Sequence, residues 1–111
     1  QKARLTHLTK SFSLGFVVVE NNLKRLSWDF GLKQLQVEAE ANTLGSQSVP
    51  MTIVASGTVP AIVGWIAAVE QAYPYLSIEQ MDIAYDHRKR VCQLRAIFNY
   101  HYRISDMERM G

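Results

Sequence analysis

The stretch Val91-Cys92-Gln93-Leu94-Arg95-Ala96-Ile97-Phe98-Asn99-Tyr100-His101-Tyr102-Arg103-Ile104 decides how the rest of the chain is read. Leu94, Ala96, Phe98, Tyr100, Tyr102 and Ile104 fall on one side of an extended backbone. Arg95, Ile97, Asn99, His101 and Arg103 fall on the other. An alternation with period two over so long a run predicts a β-strand with one covered face. A covered strand needs neighbours, and the preceding residues supply one. Leu76 to Tyr85 alternates in its second half, with Met81, Ile83 and Tyr85 on one side, and the polar run Asp86-His87-Arg88-Lys89-Arg90 joins the two strands as a hairpin tip.

Working back toward the N-terminus, Pro74 closes a predicted helix that opens at Gly57-Thr58-Val59-Pro60. Thr58 is the expected N-cap, and Pro60 lies in the first turn, where its missing N–H costs nothing. Val59, Ile62, Val63, Ile66, Val69 and Tyr73 form its expected inner face, with Trp65 off that face. A second hairpin is expected earlier, from Leu35–Ala41 and Val49–Ser56, around a loop at Asn42–Ser48. Pro50 suits the start or the edge of its strand.

The first thirty residues carry a helical stripe: Leu5, Leu8, Phe12, Phe16, Val19, Leu23, Leu26 and Phe30, in steps of three or four. From Phe16 to Phe30 the steps alternate as in a coiled coil. Two successive steps of four between Leu8 and Phe16 make a stutter, and Gly15 at that point reads as a break. Gly31 is the expected C-terminal cap. The sequence therefore predicts an α+β domain of ferredoxin-like type, in the order α-β-β-α-β-β, with a four-stranded antiparallel sheet and both helices on one face. Residues 1–15 are expected to be a coiled-coil lead-in, 16–104 the domain and 105–111 a polar tail.

The composition allows one globular domain: 111 residues, 48% apolar and 20% charged. A net charge of +2 is too small to argue for nucleic acid. The basic cluster Arg88-Lys89-Arg90, with Arg95, Arg103 and the interleaved tyrosines, suggests RNA at first sight. Phe98, Tyr100 and Tyr102 share the apolar face, however, and the aromatic signature of an RNA-recognition domain is missing.

Catalytic patterns fail on spacing or facing. Asp29-Phe30-Gly31 copies a kinase metal-binding tripeptide without the rest of that machinery. His7, His87 and His101 have no metal ligand at suitable spacing on their own elements. Asp82 and Asp86 share a strand face but lie about 13 Å apart. The lone Cys92 excludes an internal disulfide and sits on the apolar side as a small hydrophobe. The expectation is a non-enzyme with no cofactor, no metal, no small-molecule substrate and no nucleic acid.

The blocks Thr52-Ile53-Val54-Ala55-Ser56-Gly57-Thr58, Ile62-Val63-Gly64-Trp65-Ile66-Ala67-Ala68-Val69-Glu70 and Leu76-Ser77-Ile78-Glu79-Gln80-Met81-Asp82-Ile83, with the closing Leu94–Arg103 strand, resemble the periplasmic domain of PilO- and GspM-type proteins. The resemblance spans about Phe16 to Ile104. The doubled helix-strand-strand order is nearer the GspM arrangement, and the Tyr102-Arg103 ending is nearer PilO. The resemblance implies an inner-membrane component of a type IV pilus or type II secretion platform, with this domain in the periplasm. It implies a homodimer, a PilN- or GspL-like partner and a membrane anchor upstream of Gln1. The expected interface is Phe16, Val19, Leu23, Leu26 and Phe30, joined by Trp65 and an exposed strand edge. The alternative reading is a regulatory module of the same fold that binds a small ligand, with Gly45-Ser46-Gln47-Ser48 as its candidate pocket loop.

Overall fold

A computed structural model describes residues 6–39 and 48–104. The elements are β1 (His7–Thr9), α1 (Phe12–Asp29), β2 (Lys33–Ala39), β3 (Ser48–Gly57), α2 (Val59–Ala72), β4 (Leu76–Asp86) and β5 (Val91–Ile104).

β5 organises the sheet, as its long alternation requires. One edge pairs antiparallel with β3, from Cys92↔Gly57 to His101↔Ser48. The other edge is shared. β4 runs antiparallel along Val91–Tyr100, and β1 continues beside Tyr102–Ile104 in parallel. β2 pairs antiparallel with the far side of β3. The lateral order is therefore β2-β3-β5, followed by β4 and β1 placed end to end.

This corrects the expected four-stranded antiparallel sheet. Among the described residues the sheet has five strands and is mixed, and the order is β-α-β-β-α-β-β. The cause lies at Ser11. Its extended backbone and its side chain, which accepts a hydrogen bond from Leu14 N at 3.1 Å, start α1 at Phe12. Leu8 is thereby cut from the helical stripe and lies on an exposed strand position. Residues 7–15, expected within a coiled-coil lead-in, are instead β1, the cap and the first turn of α1. Residues 1–5, 105–111 and most of the expected loop at 42–48 lie outside the described residues.

The end of α1 follows the sequence reading. Phe30 is the C-cap, and Gly31 adopts φ +79°, a left-handed conformation that glycine takes without steric cost. Gly31 N donates to Trp28 O at 3.1 Å and Leu32 N to Ser27 O at 3.0 Å. These two bonds make a Schellman closure, with the buried Leu32 supplying its apolar contact. Thr58 caps α2 as expected, accepting from Ala61 N at 3.2 Å.

The core lies between the helices and one face of the sheet. β3 contributes Val49, Met51, Ile53 and Ala55, and β5 contributes Leu94, Ala96, Phe98, Tyr100 and Tyr102. α2 departs from expectation in rotation. It buries Ile62, Trp65, Ile66 and Val69, while Val59 and Val63 remain exposed. The large indole captures the inward position. Trp65 is fully buried, meets Phe98 edge to face at a centroid distance of 6.3 Å, and donates Nε1–H to Leu23 O at 3.3 Å.

Candidate interaction surface

The stripe expected to hold a partner is the core-facing side of α1. Val19 and Leu23 are buried, and Phe16, Leu26 and Phe30 are partly buried against the core. Trp65 is buried beneath them. Val19, Leu23 and Trp65 belong to the interior of this fold, which corrects the expectation that they form the interface, and Phe16, Leu26 and Phe30 pack half-buried against that core. An apolar stripe at helical spacing specifies a covered face; here the sheet and α2 lie against it.

The opposite side of α1 is where apolar side chains reach solvent. Leu14, Val17, Val18 and Trp28 are all exposed, Trp28 by 73%. Three consecutive valines at 17–19 carry the sequence signal for this. Successive helical residues point about 100° apart, so one core-facing stripe cannot absorb all three. Trp28 also lay off the stripe. A second exposed apolar group lies on β4 and α2: Met81, Ile83 and Tyr85 with Val59 and Val63.

A different kind of cluster joins β1 to the domain. His7 stacks on Tyr75 at a centroid distance of 4.7 Å and an interplanar angle of 18°. Its Nδ1 lies 2.6 Å from the Tyr100 hydroxyl. Tyr100 is fully buried and stacks on Tyr102, and Phe12 touches both rings. Burial, with Tyr75 and Tyr102 nearby, pushes the Tyr100 phenol far above its usual range. The phenol therefore stays protonated, and it shares one hydrogen bond with Nδ1 of His7, its direction set by the imidazole tautomer. Across the strands, Ser77 Oγ and His101 Nε2 are 2.9 Å apart. The histidines are thus separated by role: His7 and His101 each engage a hydroxyl, and His87 meets Tyr85 edge-on at the hairpin tip. Among the described residues no group of three metal-ligating side chains forms.

Gly15 completes the joint. The sequence reads it as a helix break, but it lies inside α1, buried, with N donating to Ser11 O at 3.0 Å. A Cβ placed there would overlap the Tyr100 hydroxyl and come within 2.9 Å of Thr9 Cγ2. The glycine is what lets β1 and Tyr100 approach the helix.

The His7 environment gives a pH expectation. Partial burial lowers the His7 pKa from 6.5. The folded state therefore resists the proton that the unfolded chain accepts. Stability is complete above the unfolded value and declines as pH falls through it. The melting temperature is expected to fall between about pH 7.5 and pH 5.5, and His7→Gln is expected to flatten that part of the slope in calorimetry. An unchanged slope in the variant would remove His7 from the joint.

Four expected pieces of candidate chemistry can now be placed. Asp82 is exposed and accepts from Gln80 Nε2 at 3.2 Å. Asp86 organises the hairpin tip, its Oδ1 accepting from Arg88 N at 3.0 Å and Lys89 N at 3.2 Å. Cys92 is half-buried and free. The candidate ligand loop Gly45-Ser46-Gln47-Ser48 lies outside the described residues except for Ser48. A half-open hollow of about 330 Å³, bordered by Phe30, Lys33, Gly57, Thr58 and Val91, lies between the end of α1 and the start of α2.

These elements define an α+β domain with two helices on a mixed five-stranded sheet. No protein-family model matches the sequence, and neither does any curated protein. The fold is similar to two solved structures from Akkermansia muciniphila, one of them determined without its transmembrane region. The first superposes with a TM-score of 0.66 at 18% identity, covering 84% of this chain and 58% of that one. The second gives 0.63 at 18% identity, covering 84% and 55%. The chain therefore spans a little over half the length of the proteins it resembles. No helix among the described residues is long and apolar enough to cross a membrane.

Proposed function

We propose that this domain is a non-catalytic assembly component of an inner-membrane platform, of the type that builds type IV pili or drives type II secretion, and that it acts by binding protein partners. The observation that carries the reading is the outward face of α1. The domain fills its own core with the inner stripe and still leaves Leu14, Val17, Val18 and Trp28 exposed. Tryptophan is enriched at the centres of interfaces. The likeness to the Akkermansia structures, one of them determined without its transmembrane region, fits that reading at the level of the fold. The same reading places the domain in the periplasm behind a membrane anchor, paired with a second copy and with a PilN- or GspL-like protein.

The test is genetic. Deleting the gene in the cell that encodes it is expected to abolish surface pili or export of secreted proteins, and the wild-type gene is expected to restore them. Normal piliation and normal export in the deletion strain would overturn the proposal.

A further inference from the structure

β4 carries apolar residues that its own fold does not cover. Met81 pairs with Ala96, Ile83 with Leu94 and Tyr85 with Cys92. Directly paired residues share a sheet face, so all three lie on the helix side, beside Ala96 and Leu94, which are fully buried. Yet Met81 is 44%, Ile83 37% and Tyr85 52% exposed. The helix layer stops short of them. The Gly64 side of α2 lies against Phe30 of α1. Val59 and Val63 of α2, the helix that also packs on β4, are exposed too. The apolar shelf on the outer strand is thus Met81, Ile83 and Tyr85.

The outer edge of that strand is also open: among the described residues β4 pairs only with β5. The other sheet edge is blunted. β2 has an irregularity between Lys33 and Gln36, and Gln34 has φ 58°. β4 has one register shift, between Ile78 and Gln80, and its pairing with β5 is regular from Gln80 to Asp86. The midpoint of that regular stretch is Ile83.

The sequence of this stretch, Gln80-Met81-Asp82-Ile83-Ala84-Tyr85-Asp86, is complementary to itself in one antiparallel register. With Ile83 opposite Ile83 of a second copy, Met81 faces Tyr85 and Asp82 faces Ala84. Gln80 then faces Asp86. Every apolar residue meets an apolar one, and no two carboxylates oppose each other. Shifting the centre to Asp82 sets Asp82 against itself. Shifting it to Ala84 sets Asp82 against Asp86 twice. Like charges directly opposite are destabilising, and a one-residue slip of the pairing, Ile83 against Asp82 or Ala84, exchanges the faces.

We infer that two copies of this chain join through their β4 edges about a two-fold axis at Ile83, extending the sheet across both and covering the two apolar shelves. A two-fold contact of this kind uses up the open edge on each copy. With β2 blunted, growth ends at a dimer. The inference rests on the homodimer in the proposed function and specifies the surface that forms it.

The experiment uses the chain with Cys92→Ser and a single new cysteine, oxidised with copper phenanthroline and read on a non-reducing gel. Sedimentation of the unmodified chain accompanies it. Ile83→Cys is expected to give a covalent dimer as its main product, because each Ile83 faces its own copy. Trp28→Cys, on the outward face of α1, is expected to stay monomeric on the gel. Ile83→Lys is expected to sediment as a folded monomer while the unmodified chain sediments as a dimer. Covalent dimer from Trp28→Cys and none from Ile83→Cys would overturn the β4 contact and leave a homodimer built through α1. A monomer at all concentrations would overturn both.

Discussion

Replacing Trp65 with alanine is expected to cost about 3–5 kcal/mol, the range for removing a large buried aromatic. For a domain of this size that lowers the melting temperature by on the order of 15–25 °C. The cost is large because the indole sits between the two layers. It fills the space over Phe98 and ties α2 to the Leu23 carbonyl of α1. Trp65→Phe retains most of the ring and loses only the hydrogen bond, which is long at 3.3 Å. It is expected to cost about 1–2 kcal/mol. The same pair of variants separates the two readings of this residue. An interface tryptophan would lose partner binding at unchanged stability, whereas the buried Trp65 is expected to lose stability first. Thermal denaturation followed by circular dichroism decides between them.

Gly15→Val carries the second large effect, about 3 kcal/mol of lost stability. The branched side chain would overlap the Tyr100 hydroxyl and press on Thr9. Tyr100 cannot swing aside without leaving the stack with Tyr102 and the bond to His7. The sign of the milder Gly15→Ala is the more exacting test. In an open helix interior, alanine gains about 1 kcal/mol over glycine. Here the added methyl is expected to reverse that sign and to release β1. Amide exchange at Leu8 and Thr9 would then accelerate ahead of global unfolding. A stabilised Gly15→Ala variant with β1 still protected would contradict the close approach described here.

What the sequence revealed follows from how local each signal is. Alternation in Val49–Ala55 and Leu94–Tyr102 identifies strands and their inner faces because the period and the burial have the same origin. Thr58 announces a helix start through its hydroxyl and Gly31 a helix end through its lack of a Cβ, and the structure has both in those roles. β1 was not legible. Three residues gain strand character only by lying beside Tyr102–Ile104, more than ninety residues away. Ser11 did hold a local clue, since a serine before an apolar run is an N-cap signal, and it was masked by the spacing of Leu5, Leu8 and Phe12.

The interface was misread for a different physical reason. A stripe such as Phe16, Val19, Leu23, Leu26 and Phe30 states that one side of a helix is covered, but not by what. A sheet and a partner helix leave the same pattern. The informative residues were those the stripe leaves out, Val17, Val18 and Trp28, together with Met81, Ile83 and Tyr85 on a strand whose neighbours are buried. Trp65 shows the converse: a residue placed off the apolar face by a count of positions took the inner position by size.

The central claim is that this domain holds a protein partner on the outward side of α1. Sedimentation velocity of the chain mixed with the periplasmic part of the proposed PilN- or GspL-like partner tests it most directly. The mixture is expected to sediment as a complex, and Val18→Asp with Trp28→Ala is expected to abolish that complex. Because both positions are exposed, the melting temperature should move little, within about 0.5 kcal/mol of stability per site. Components that sediment independently, or a complex unchanged by the double variant, would contradict the claim.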